Sequence, residues 1–334
     1  MLSARATGAA AGPRIFSGVE PTGHLTLGNY LGAMRRWVEV DQHRGDALFC
    51  VVDLHALTVE HDPARVRRLS RQAATLMLAM GLDPERCTVF VQSHVDEHAR
   101  LSYLMECTAT DGEMRRMLQY REKAAERAGR GGSVRLSLLT YPALRAADIL
   151  AYGTQEVPVG ADQAQQVELT RELAVRFNQR YGEVFVVPRA TYPEAAARVR
   201  GMSGQGRMSG GVCLLDEPEV VRKKVRRAVM ERGSGAVEYE RGERPGVADL
   251  LEVLAAFSGG EPERLAEGYA SYGALQSDVA EAVVEGLRPV RERHAALAAD
   301  REYVDAVLRA GAERARGLAR PRVDAAYRAV GLMA

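Results

Sequence analysis

The residues with chemistry to offer gather in a few short stretches. Thr26-Leu27-Gly28-Asn29 follows His24-Leu25 and precedes a run in which Leu31, Met34, Trp37 and Val38 recur at helical spacing. A loop in that place has two readings: strand-to-helix geometry alone, or donors facing a phosphate at a helix N-terminus. Local spacing does not choose between them. The second stretch runs from Gly201 to Gly211, GMSGQGRMSGG. Glycines at this density free backbone N–H groups to line an anion, and Arg207 adds a fixed charge; a surface hinge has the same composition. Asp53 with His55, Asp148 in Ala146-Ala147-Asp148, and Gln163 in Val159-Gly160-Ala161-Asp162-Gln163 stand at or just after apolar runs. Each alone also reads as a satisfied interior group or a helix cap. The sequence has no metal-ligand spacing, no serine in a nucleophile elbow, and no GxGxxG or Walker pattern.

These groups need elements to hold them. Arg14 to Gly18, Ala47 to Val52, Thr88 to Val91, Val157 to Val159 and Val184 to Val187 read as short strands, apolar throughout rather than alternating. Helices are expected after Gly28-Asn29, over Pro63 to Met80 behind Asp62-Pro63, and from about Asp162 to Arg180. Continuous apolar strands separated by helices imply a parallel sheet covered on both faces, an α/β fold of the Rossmann-like, doubly wound kind. After Leu215 the strand signal ends. Pro218 to Val229, Val247 to Phe257, Pro262 to Tyr269 and the chain from Ala274 onward read as amphipathic helices. The expected division is a catalytic domain over residues 14–214 and a helical domain over 215–334. In doubly wound sheets ligands lie at the carboxyl ends of the strands. That rule selects the loops Gly18 to Asn29, Asp53 to Thr58 and Gly160 to Gln163.

A formal net charge of +1 across 334 residues excludes a strongly basic, chain-wide polyanion binder, though not a local basic patch. Cys50, Cys87, Cys107 and Cys213 form no CxxC pair and mostly fall in apolar runs, which points to reduced thiols and a cytoplasmic setting. No stretch approaches the roughly 20 apolar residues that span a bilayer, so no membrane partner is expected. Met1 to Pro13 reads as a disordered tail. Among 45 basic residues only Lys123, Lys223 and Lys224 are lysine. A compact ammonium is not interchangeable with a guanidinium at a crowded phosphate, which singles these three out.

Taken together, IFSGVEPTGHLTLGNYLGAM, VVDLHALTV, LTYPALRAADILAY, VPVGADQAQQVELTRELAVRFNQRYG and RMSGG resemble the bacterial tryptophanyl-tRNA synthetases from Arg14 to Leu332. The resemblance implies a class I enzyme, with a Rossmann catalytic domain, a helical anticodon-binding domain and a homodimeric active form. Its partners would be L-tryptophan, ATP and tRNA(Trp), with ATP as substrate, Mg²⁺ bound through the ATP phosphates, no protein-bound metal and no DNA. Thr26-Leu27-Gly28-Asn29 looks like the family's HIGH signature. Glu20, Thr26, Gly28, Asn29, Lys123, Arg207, Met208 and Ser209 would then meet ATP, with Thr26, Asn29, Lys123, Arg207 and Ser209 sharing the catalytic work. A helix from Tyr30 would aim its N-terminus at the phosphates. Phe16, Gly18, His55, Val157 and Val159 would enclose an indole, with Arg145 close to it. Asp148 would accept the indole N–H, and Tyr141 and Gln163 would hold the ammonium and carboxylate. No covalent enzyme intermediate is needed: the protein positions the reactants and neutralises developing charge.

Three positions depart from the family pattern. The KMSKS signature is reduced to Arg207-Met208-Ser209-Gly210-Gly211, Arg145 stands where methionine or glutamine is usual, and Glu20 replaces a glutamine near ATP. Two further readings therefore stand beside a tryptophan–tRNA ligase: an adenylate-forming paralogue for a modified tryptophan in a biosynthetic pathway, and a non-enzymatic tRNA or amino-acid binding module.

Overall fold

The structure, a computed structural model, describes residues 12–129, 131–160, 163–192, 211–227 and 237–333. Its centre is a parallel sheet built from β1 (Arg14–Val19), β2 (Asp46–Val51), β3 (Thr88–Val91), β4 (Glu156–Pro158) and β5 (Arg189–Thr191), in the order β3-β2-β1-β4-β5. Register runs Arg14 against Asp46 through Val19 against Val51, Leu48 against Thr88, and Ile15 against Glu156. Ala47, Leu48, Phe49, Cys50 and Val51 are fully buried, as the continuous apolar runs require for strands covered on both faces. The strand order reverses between β1 and β4, so the ligand crevice of this sheet opens beyond Val19 and Pro158.

Helices α2 (Pro63–Ala79), α3 (Glu97–Thr108), α4 (Asp111–Arg116), α5 (Leu118–Gly129), α6 (Leu136–Leu150) and α7 (Ala164–Tyr181) join the strands in sequence, after α1 (Leu27–Asn29) near the start. Asp62 caps α2 by accepting from the Ala64 and Arg65 N–H groups, with Pro63 in the first turn.

Two sequence expectations are corrected. First, the segment 184–187 is not a strand. The Asn178 side chain accepts from the N–H groups of Val184 and Phe185 and donates to the Phe185 carbonyl, turning the chain over the end of α7. Local side-chain bonds of this kind compete with a ladder, and the fifth strand forms later, at Arg189–Thr191. Second, the helix expected from Tyr30 begins at Leu27. Thr26 and Asn29 form a reciprocal capping box, and wide π-type turns continue it over Tyr30–Met34 and Trp37–Asp41.

The chain packs as two compact units. One compact unit comprises residues 1–23, 39–192 and 300–334; the other comprises 24–38 and 193–299. The last helix, α12 (Arg301–Ala329), lies in the first unit, where Ala312, Ala315, Ala319, Val323 and Ala326 join the sheet's core. Amphipathic periodicity shows that a helix has an apolar face, not which body it covers. Gly311 marks the closest approach of α12: a Cβ there would fall 1.9 Å from the Val89 carbonyl oxygen. Gly311→Ala is expected to destabilise this unit by about 1–3 kcal/mol through overpacking. A lowered urea midpoint with an unchanged slope checks it. In the second unit α8 (Pro218–Arg226) and α9 (Pro245–Ser258) lie against α11 (Tyr272–Ala299), preceded by the short α10 (Pro262–Ala266), around a core that includes Val221, Val225, Leu250, Val279 and Val283.

Candidate active site

One face of α6 organises the polar groups beside the crevice. Tyr141, Arg145 and Asp148 are spaced at i, i+4 and i+7 and therefore project along one side of the helix. Asp148 is fully buried and accepts three side-chain donors. His55 Nε2 stands 2.8 Å from one carboxylate oxygen; Gln92 Nε2, at 2.6 Å, and His98 Nδ1, at 2.7 Å, share the other. The relay continues from His98 Nε2 to the Tyr152 hydroxyl at 2.7 Å. Burial alone would push the Asp148 carboxyl up, but the hydrogen bonds and charge of His55 and His98 outweigh it and hold the group well below the usual carboxylate range. The sequence anticipates a lone acceptor in an apolar cage. The structure holds instead a charged hub with a buried polar shell.

The other end of the face is also polar. The Tyr141 hydroxyl donates to Gln119 Oε1 at 2.9 Å and accepts from Gln166 Nε2 at 2.8 Å. Burial pushes its ionisation up to about 12, with the Arg145 charge and the Gln166 bond opposing and Glu20 and Glu122 reinforcing. Tyr141 thus stays a neutral donor, and Glu20 lies within electrostatic reach of it. His55 meets the Tyr141 ring edge-on, centroids 6.2 Å apart. Arg145 donates from Nη2 to Gln163 Oε1 at 3.3 Å, while its buried Nε has no acceptor. Gln163 is the N-cap residue of α7, just beyond β4.

The structure thus links His55, Asp148, Tyr141, Arg145 and Gln163 in one connected set. Val157 is buried in the middle of β4 and Val159 partly buried just beyond it. Phe16 lies in the core, stacked on Tyr152 at 5.7 Å. Gly18 fits where a Cβ would press to 2.9 Å from Val52 Cγ1 and 3.1 Å from the Cys50 carbonyl, so its small size serves β1–β2 packing. Asp53 binds the Ser93 N–H and hydroxyl and fastens the two strand ends together. Lys123 is exposed on α5, one turn beyond Gln119 on the same helical face.

Gln92, His98, Tyr152, Gln119 and Gln166 were not selected from the sequence. Gln92 was within reach, since it directly follows β3 and the strand-end rule applies there as it does to β1, β2 and β4. His98 carries no local signal; only the packing of α3 against α6 brings it to Asp148 and to Tyr152, four residues further along the chain.

In the second unit the Thr26 signature is anchored by backbone. Leu27 N–H donates to the Val212 carbonyl at 2.8 Å, Leu214 N–H to the Leu25 carbonyl at 2.9 Å, and Thr26 bridges Cys213. Val212 to Leu214, which follow the second signature in sequence, are therefore joined to the first; Arg207, Met208 and Ser209 lie outside the described residues. The Leu27, Asn29 and Tyr30 N–H groups are taken by Val212, the Thr26 hydroxyl and the Thr26 carbonyl, which corrects the expectation of free donors there. Lys224 pairs with Asp216 at 2.7 Å, and Asp216 also accepts from the Cys213 N–H, which assigns this lysine to the turn after the signature.

The strand order, with a polar set at its switch point, is that of the doubly wound α/β class, whose members bind nucleotides at this place in the fold. Residues 10–288 match the family model described as tRNA synthetases class I (W and Y). The chain is 75% identical to Tryptophan–tRNA ligase 1 of Streptomyces avermitilis over 96% of its own length and 99% of that protein's. The crystal structure of tryptophanyl-tRNA synthetase from Mycoplasma pneumoniae is similar at a TM-score of 0.86 and 31% identity, covering 96% of this chain and 98% of that one. That of the Campylobacter jejuni enzyme complexed with ADP and tryptophan gives 0.79 and 27%, over 96% and 100%. The chain belongs to the class I tryptophanyl- and tyrosyl-tRNA synthetase family, on its bacterial tryptophanyl branch.

Proposed function

We propose that this protein is a tryptophan–tRNA ligase, which activates L-tryptophan with ATP to tryptophanyl-adenylate and transfers the tryptophanyl group to tRNA(Trp). The observation that carries the reading is the Asp148 hub: a fully buried carboxylate, held ionised, at one end of a helical face whose other end is polar. An indole N–H is a donor that phenylalanine lacks. Asp148 accepts it on the lone-pair capacity left by His55, Gln92 and His98, and a buried acceptor left unpaired by the wrong amino acid supports rejection by about 10⁴–10⁵. His55, Gly18, Val157 and Val159 flank the ring, with Phe16 behind them. Tyr141 and Gln163 take the amino-acid head, and Arg145 belongs to the same site.

The co-substrate is MgATP. Glu20, Thr26, Gly28, Asn29, Lys123, Arg207, Met208 and Ser209 are assigned to it, with Thr26, Asn29, Lys123, Arg207 and Ser209 meeting the charge that develops as pyrophosphate leaves. The tryptophan carboxylate attacks the α-phosphorus, and the terminal tRNA hydroxyl then attacks the adenylate carbonyl. The chain works as a cytoplasmic homodimer, and helices following Leu215 read the anticodon end. Among the described residues no helix is long and apolar enough to cross a membrane. Aminoacylation of tRNA(Trp) with labelled tryptophan tests the proposal, with sedimentation to read the assembly. Charged tRNA and a dimer at micromolar concentration are expected. Adenylate without charging would favour the biosynthetic paralogue, and neither product would favour the binding module.

A further inference from the structure

Arg145 is a partly buried cation with one unmet donor. Its Nη2 makes a long bond to the neutral Gln163, and its buried Nε has no acceptor. Among the described residues no carboxylate lies within ion-pair distance of it. A buried guanidinium N–H without a partner is costly, and such a group persists where a ligand supplies the acceptor.

The direction of the side chain identifies that ligand group. Long side chains on a helix lean toward its N-terminus, so Arg145 reaches back over the Tyr141 turn, away from Asp148. Two observations agree: its bond to Gln163, and the action of its charge on the Tyr141 hydroxyl. Asp148 lies three residues onward, about 4.5 Å along the axis. One face of α6 thus presents an anion and a cation at opposite ends of a span that suits one amino acid. A guanidinium fork matches a carboxylate by two parallel N–H···O bonds, which neither Tyr141 nor Gln163 can offer.

We infer that Arg145 binds the α-carboxylate of the amino-acid substrate, making this site selective for a free amino acid over its uncharged analogues. The inference rests on the reading of the Asp148 site as a tryptophan site. It also predicts which kinetic constant Arg145 controls. In activation one carboxylate oxygen forms a bond to the α-phosphorus, the bond from that phosphorus to the bridging oxygen breaks, and pyrophosphate leaves with the electron pair. The carboxylate oxygen that stays off phosphorus keeps part of its charge as the anhydride forms, so a contact made to it is about as strong in the transition state as in the ground state. It lowers KM for tryptophan and leaves kcat nearly unchanged.

The experiment measures binding of L-tryptophan and of L-tryptophanol, which has a hydroxymethyl group in place of the carboxylate, to wild type, Arg145→Met and Arg145→Lys by calorimetry. Thermal denaturation of each variant controls for folding. Arg145→Met is expected to weaken tryptophan about 10- to 100-fold, the range for a hydrogen bond to a charged group, while tryptophanol binding stays within twofold. Arg145→Lys should recover part of the loss, and KM should rise in step with the dissociation constant while kcat holds. Equal weakening of both ligands would mark Arg145 as structural and overturn the inference. So would unchanged tryptophan binding, including the case in which a non-hydrolysable adenylate analogue alone is weakened, which would place the phosphate at Arg145. If wild type binds neither indole compound, the tryptophan-site reading itself fails, an outcome separate from both.

Discussion

Asp148→Ala is expected to cost the fold about 3–5 kcal/mol, the range found when one partner of a buried charged set is removed. The carboxylate is the common acceptor for His55, Gln92 and His98, all of them buried, and its loss leaves three donors facing a cavity. Against a typical total of about 5–15 kcal/mol, that is a large fraction of the stability. Asp148→Asn keeps the volume but turns an NH2 toward donors, so it should lie close to the alanine variant. The pH dependence follows from the sign of the shift. A carboxyl held below its ordinary value contributes stability that is fully present above the unfolded value of about 3.9 and is lost as pH falls through the folded one. The gap between wild type and Asp148→Asn should therefore be full at neutral pH and narrow only in strong acid. Urea titrations at several pH values check this. A gap that stays constant into the acid range, or a neutral-pH cost below about 1 kcal/mol, the mean for an ordinary point mutation, would contradict the hub.

Lys123→Ala should act oppositely, on rate and not on fold. Lys123 is exposed on α5, a helix with no buried residue, so its removal should change stability by no more than about 0.5 kcal/mol. Gln119, one turn earlier on the same face, bonds the Tyr141 hydroxyl, which points this face toward the amino-acid head. With Gly210 in place of the second signature lysine, fewer cations remain to meet the leaving pyrophosphate. Loss of a preorganised charge contact at a developing anion costs about 10²–10³ in kcat. Single-turnover adenylate formation should fall by at least that factor in Lys123→Ala and by less in Lys123→Arg, whose planar head meets phosphate differently. Wild-type rates in Lys123→Ala would remove this residue from the chemistry.

Much of this architecture is legible in the amino-acid sequence. The strands were visible because burial on both faces leaves a continuous apolar signature, and Asp62-Pro63 announces α2 through capping chemistry alone. Two features were not, each for a reason of range. Phe185 looks like strand because it is buried, yet the bonds that bend its segment come from Asn178. The C-terminal helix has the same pattern as those before it; that it covers the sheet shows only in the packing, where Gly311 meets Val89 and its alanines join the core. The site was half legible. Tyr141, Arg145 and Asp148 announce themselves by spacing on one helix and His55 and Gln92 by following strand ends, but His98, which completes the charged hub from α3, carries no sequence mark.

The central claim is that the Asp148 end of this site selects an indole for activation by ATP, and ATP–pyrophosphate exchange tests it most directly. With wild-type protein and equal concentrations of tryptophan, tyrosine and phenylalanine, exchange should be driven by tryptophan, with the other two lower by about 10⁴ or more in kcat/KM. Exchange supported comparably by phenylalanine, or absent with tryptophan in folded protein, would contradict it.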